Sequence, residues 1–190
     1  MTELAILLPL MAFVALAAAI AIVLRRAGSI VARTREVEGF RSAVRDLAAR
    51  VDTSMEGATS RIDAVRRGQL AADTIGPTVA AAADAVERYA SEARALGGPE
   101  QALTIRNDIV AELERAARAL EMVDHGAKIL AQVRRGTREL EAQTALKRGY
   151  LNLLHAREAV ARQALRVDDL EVKVEPGGRN AVVTVRQPHP

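Results

Sequence analysis

Residues 4–24, LAILLPLMAFVALAAAIAIVL, constrain this chain more than any other segment: they hold no charged residue, no amide and no glycine. As an α-helix this run would be about 31 Å long, the thickness of a bilayer's hydrocarbon core of roughly 30 Å. Pro9 falls within the first turns, where a missing N–H costs little. A buried core helix is the competing reading, but nothing else in the 190 residues is apolar enough to enclose it. A single N-terminal transmembrane helix is therefore expected over 4–24. A cleaved signal peptide is the other alternative, since Ala15-Leu16-Ala17 and Ala19-Ile20-Ala21 both fit a small-x-small cleavage rule. Against it, Met1-Thr2-Glu3 carries no basic residue and the apolar run exceeds a usual signal core.

Orientation follows from the arginines. Arg25 and Arg26 adjoin the apolar run, and Arg33, Arg35, Arg41, Arg45 and Arg50 follow, against only Glu36, Glu38 and Asp46. Positive residues stay on the cytoplasmic side, so the expected topology is N-terminus out and C-terminal region cytoplasmic. Basic residues are almost all Arg, with Lys only at 128, 147 and 173, which reads as a GC-rich bacterial genome and makes the expected address the bacterial inner membrane. Residues 25–36 form a basic juxtamembrane segment in which Arg25, Arg26, Arg33 and Arg35 are candidate contacts for anionic lipid. Arg41, Arg45 and Arg50 alternate with acids and suit a solvated helix face.

Beyond residue 36 the apolar residues recur at helical spacing. Alanine, the best helix former, fills 38 positions, whereas the aromatic complement is two Phe and two Tyr with no Trp. Such a chain is mainly α, with thin contacts between helices. Val37, Phe40, Val44, Leu47, Val51, Met55, Ala58, Ile62 and Val65 fall three and four apart, with one stutter at Val51–Met55. This seam needs a partner face, and Val37, Phe40, Val44, Leu47, Val51, Met55, Ile62 and Val65 are candidates for an oligomer seam. Ile75-Gly76-Pro77 breaks the pattern, and a second series runs Val79, Ala82, Val86, Tyr89, Ala93, Leu96. Gly97-Gly98-Pro99 is the next break, and a third series runs from Ile109 to Leu130. Its continuation through Leu140, Leu146, Leu151, Leu154, Val160 and Leu165 is irregular, with Gly126, Gly136 and Gly149 as interruptions and Gly136-Thr137 as a point where one helix could end and another begin. Short connections favour antiparallel neighbours.

After Val167 the period switches to two. Leu170, Val172 and Val174 alternate with Glu171, Lys173 and Glu175, Pro176-Gly177-Gly178 supplies a turn, and AVVTVR over 181–186 is a second strand. The expected architecture is thus a transmembrane helix (4–24), a basic segment (25–36), an antiparallel helical bundle or coiled coil (37–167) and a short C-terminal β-hairpin (168–187). An isolated hairpin is marginal in water. Its apolar face, Leu170, Val172, Val174, Val183 and Val185, is expected either to cap the bundle or to dock a partner.

No constellation for chemistry emerges. The absence of cysteine excludes disulfides, thiolate metal sites and cysteine nucleophiles. None of His125, His155 and His189 stands three residues after a Glu, as a bundle di-metal site requires. There is no Gly-x-Ser-x-Gly elbow and no phosphate loop. No metal, cofactor or enzymatic activity is expected. Nucleic acid is not an expected partner, because no aromatic platform interleaves the arginines. The expected function is a non-enzymatic, single-pass membrane-anchored scaffold or adaptor acting through coiled-coil and hairpin contacts, with membrane lipid and either a second copy or a membrane protein as partners. The alternative is an accessory subunit of a bacterial membrane transport or secretion complex.

Overall fold

The computed structural model describes residues 2–132, 138–174 and 181–185, with the side chains at 2–10, 12, 14, 15, 26, 29, 173, 174, 181, 182 and 185 outside the description. Helix α1 (Thr2–Arg66) has 65 residues, about 97 Å at 1.5 Å per residue. It runs unbroken through the expected boundaries at 24 and 36, so the basic segment is part of the same rod. Gly28, Gly39 and Gly57 do not interrupt it. The helix ends at Gly68, whose φ of +69° places it in the left-handed region that glycine adopts freely. There the N–H groups of Gly68 and Gln69 return to the carbonyls of Val65 (2.9 Å) and Ala64 (2.8 Å).

Three further helices complete the bundle: α2 (Gly76–Ala95), α3 (Leu103–Gln132) and α4 (Glu139–Arg166). Pro77 occupies the first turn of α2, where no N–H is required. Gly136 and Thr137, the expected split between the last two helices, lie outside the described residues, but α3 and α4 end and begin on either side of them. The pairings fix the directions. Arg61 reaches Thr78 and Arg50 reaches Glu92, so α2 runs antiparallel to α1. Asp108 near the start of α3 meets Gln163 and Arg166 at the end of α4, while Arg157 of α4 pairs with Asp52 of α1. The result is an up-down-up-down arrangement from Val37 onward, as short connections dictate.

The expected seam is buried within one chain. Val37, Phe40, Val44, Leu47, Val51, Met55, Ile62 and Val65 are each 7% exposed or less, covered by α2, α4 and the hairpin that follow in the same chain. A single neighbouring helix would be too short to cover it; three elements in succession do so. Alanines then take the place that aromatics fill in ordinary cores: Ala82, Ala93, Ala116, Ala119, Ala142 and Ala156 are all buried.

Small residues let α3 and α4 approach closely, and here Gly126 and Gly149 are not helix interruptions. A Cβ on Gly126 would stand 2.9 Å from the Ala142 carbonyl oxygen, and one on Gly149 would stand 2.6 Å from Val123 Cγ2 and 2.8 Å from the Ala119 carbonyl oxygen. Both lie mid-helix and buried. The glycines are packing surfaces, where any side chain would push the helices apart.

Strands β1 (Leu170–Val174) and β2 (Ala181–Val185) form the expected antiparallel hairpin, with Leu170 opposite Val185 and Val172 opposite Val183. Its apolar face rests on α1: Leu170 and Val183 are fully buried and Val172 packs against the same core. The side chains of Val174 and Val185, like the turn at 175–180, are outside the described residues. Among the described residues no helix is long and apolar enough to cross a membrane. The expected transmembrane helix over 4–24 is not found as such, and the side chains at 4–10, 12, 14 and 15 lie outside that description.

Candidate functional site

Burial along α1 changes abruptly. From Val37 onward every third or fourth residue is buried, but every residue from 16 to 25 is exposed. That stretch covers nearly three helical turns, so among the described residues no face of the helix there is covered. Phe13, Leu16, Ile20, Ile22, Val23 and Leu24 are among the large hydrophobic residues standing free, Phe13 at 69% and Leu24 at 66% exposed. Scattered exposed hydrophobics are normal on a soluble surface; a contiguous sleeve of them is not. The arginines follow directly: Arg25, Arg33 and Arg35 are exposed, and the Arg26 side chain lies outside the described residues.

The arginines read from sequence as solvated act instead as ties between elements. Arg41 donates from Nε to the Val167 carbonyl (3.2 Å) and from its terminal nitrogens to the carbonyls of Asp168 (3.1 Å) and Leu170 and to Glu38. These carbonyls belong to the turn joining α4 to β1 and to the first residue of β1, and the Val167 carbonyl also accepts the Leu170 N–H. Arg45 pairs with Asp168 of the same turn. Arg41 and Arg45 therefore fix the hairpin to α1. Nothing in the local periodicity signals this role; the partners are more than 120 residues away.

Two further arginines join helices. Arg50 pairs with Glu92 and lies over the Tyr89 ring at 5.5 Å, while the Tyr89 hydroxyl and Ser54 share a hydrogen bond of 2.8 Å. Hydrogen bonding to Glu92 raises the Arg50 pKa, and the same contact lowers that of Glu92. Arg157 of α4 pairs with Asp52 and stands 3.7 Å from Glu56, both on α1. Its hydrogen bond lowers the Asp52 pKa, and Asp52 raises that of Arg157. These opposed shifts mark structural ion pairs, since neither carboxylate is held in a protonated form that could act as an acid.

A cleft of about 420 Å³ opens at the far end of the bundle from the exposed sleeve, walled by Val65, Arg66, Leu130, Glu139, Leu146 and Lys147 among others. Its described lining residues include no hydroxyl and no imidazole, so among them there is no nucleophile–base pair. Among the described residues no group of three or more His, Asp and Glu is placed to hold a metal ion.

A second exposed apolar surface lies on α4. Leu140, Leu151 and Leu165 are exposed although Leu146, Leu153 and Val160 of the same helix are buried. Two apolar faces superposed on one helix account for the irregular spacing of this stretch in the sequence. Compared with known proteins, the chain matches no family model, no curated protein and no solved structure.

Proposed function

We propose that the chain is a non-enzymatic scaffold held at the bacterial inner membrane by the N-terminal part of α1, with the four-helix bundle on the cytoplasmic side. The observation that carries this reading is the sleeve of α1 exposed around its whole circumference from 16 to 25, continuous with a sequence of 21 uncharged residues. Such a surface is unstable in water and matches the hydrocarbon interior. Arg25, Arg26, Arg33 and Arg35 then lie where anionic headgroups would be, each contributing about 1 kcal/mol near the surface.

The accessory-subunit reading drew on the hairpin as a docking element. Leu170 and Val183 are buried in the core and so are not free for such a partner, and the scaffold reading is preferred.

Absence of cysteine makes the test direct. Full-length Thr2→Cys should react with an impermeant maleimide on spheroplasts, and Ser91→Cys should react only after lysis. Recovery of the protein in the soluble fraction, or labelling at Ser91→Cys before lysis, would overturn the anchored topology.

A further inference from the structure

The outer face of α4 has an order of its own. Leu140 is 74%, Leu151 41% and Leu165 71% exposed, and Leu154 between them is half-buried. At about 100° per residue, Leu151 lies some 20° to one side of Leu140 and Leu165 some 20° to the other. Lys147 and Glu158 fall on the same stripe. The row Leu140, Lys147, Leu151, Leu154, Glu158, Leu165 steps by sevens, fours and threes, which is the seam of a coiled coil.

The row is also a palindrome. Reflected through the midpoint between residues 152 and 153, Leu151 exchanges with Leu154, Lys147 with Glu158 and Leu140 with Leu165. The two intervening seam positions, Thr144 and Ala161, exchange as well, and both are small. A two-fold axis does just this to an isologous interface: residue i meets j, and j meets i. We infer that the outer face of α4 is a self-association surface on which a second copy of the chain packs antiparallel, leucine against leucine, with Lys147 beside the partner subunit's Glu158.

Charge selects the direction. In the antiparallel pair the two-fold makes the Lys147–Glu158 contact twice, whereas a parallel pair in register would set lysine on lysine and glutamate on glutamate. Glu158 also meets Arg162 of its own helix at 2.7 Å, but with side chains 66% and 60% exposed this is a surface bridge of small worth. The apolar positions give the contact its area, and the charged ones its orientation. This inference rests on α4 alone; with 4–24 in lipid it requires the two copies to be anchored in apposed membranes.

The test uses the full chain purified in detergent. Leu140→Cys and Leu165→Cys are prepared as separate proteins, mixed and oxidised. The mixture should give a disulfide-linked dimer, and each protein alone should stay unlinked, because like positions stand about 37 Å apart in the antiparallel pair. Self-linking of either variant would demonstrate a parallel pair and overturn the inference. A mixture that does not link would overturn it as well. Sedimentation equilibrium supplies the second readout: Lys147→Glu should raise the dimer dissociation constant about tenfold or more, and adding Glu158→Lys in the same chain should restore it. Both positions are exposed, so neither substitution disturbs the bundle interior. An unchanged dissociation constant for Lys147→Glu would exclude the palindromic register.

Discussion

At the scale of single residues, glycines of one type do opposite things in this bundle. Gly57 is exposed with nothing near its would-be Cβ, whereas Gly149 is pressed against Val123 and the Ala119 carbonyl. Gly57→Ala should therefore raise stability by up to about 1 kcal/mol through helix propensity and lost unfolded-state freedom. Gly149→Ala should lower it by about 1–3 kcal/mol, because the gain in propensity is outweighed by overpacking. Urea midpoints of the two variants check the contrast, and equal shifts would mean that α3 and α4 are not in close contact. Sequence alone shows both glycines as weak points in a helix; only the approach of a second helix tells them apart.

Carboxylates supply a pH dependence of definite sign. Asp52 and Glu92 lie below their ordinary values of 3.8 and 4.5 in the folded chain because Arg157 and Arg50 hydrogen-bond to them. The unfolded chain then takes up more protons as the pH drops, so the stabilisation is fully present above about pH 5 and is lost as the pH falls through the folded values. Asp52→Asn should lower stability at pH 7 by up to about 1 kcal/mol, given the pair's partial exposure. At pH 3 the loss should shrink. A loss of equal size at both pH values would show that the Asp52 charge contributes nothing.

At the scale of elements, the readable part of the sequence was the part with one apolar face per helix. The 3,4 spacing from Val37 to Val65 and from Val79 to Leu96 locates the inner faces of α1 and α2, and strict alternation locates the hairpin. Two things were hidden. Periodicity says that a seam needs a partner, not whether the partner is another copy, and here α2, α4 and the hairpin fill the place. Periodicity also fails on α4, where an inner row through Leu146, Leu153 and Val160 overlies an outer row through Leu140, Leu151 and Leu165. Arg41 was likewise illegible: its hydrogen bonds to the α4–β1 region go to backbone carbonyls, which leave no mark on side-chain pattern.

The hairpin is where packing and fixation can be separated. Leu170 is wholly buried, so Leu170→Ala should cost about 2–4 kcal/mol if the hairpin is integral to the core. Arg41→Met, which keeps the aliphatic stem, removes the donors to three carbonyls and should loosen the α4–β1 turn without unfolding the helices. Hydrogen exchange should then quicken at 167–172 and stay slow at 105–123. Uniformly faster exchange would mean that Arg41 holds the whole bundle together and not the hairpin alone.

At the scale of the whole molecule, the sleeve, the bundle and the outer leucine row form one geometry. Val167 at the end of α4 lies beside Arg41, whereas Glu139 at its start shares a cleft with Arg66. α4 is thus antiparallel to α1, and two copies joined antiparallel along α4 send their N-terminal helices in opposite directions. With each anchored in lipid, such a pair bridges two apposed cytoplasmic surfaces. Liposomes carrying the full chain with the bundle outward should cluster, as measured by turbidity. Lys147→Glu should reduce clustering while the protein stays with the lipid. Clustering that is insensitive to Lys147→Glu would require contacts other than the α4 row.

The unbroken course of α1 from Thr2 to Arg66 has a mechanical consequence. A helix without a hinge is a shaft, and its torsion is stiff compared with that of a loop. Adding one residue near position 30 would turn the bundle by about 100° about the shaft axis and lift it by 1.5 Å, whereas adding seven would lift it by about 10 Å and return it to within roughly 20° of its original azimuth. The direction in which the outer leucine row points is therefore a phase, written into the number of residues between the apolar sleeve and Val37. Activity that depends on that direction should oscillate with insertion length, whereas activity that depends only on reach should change monotonically.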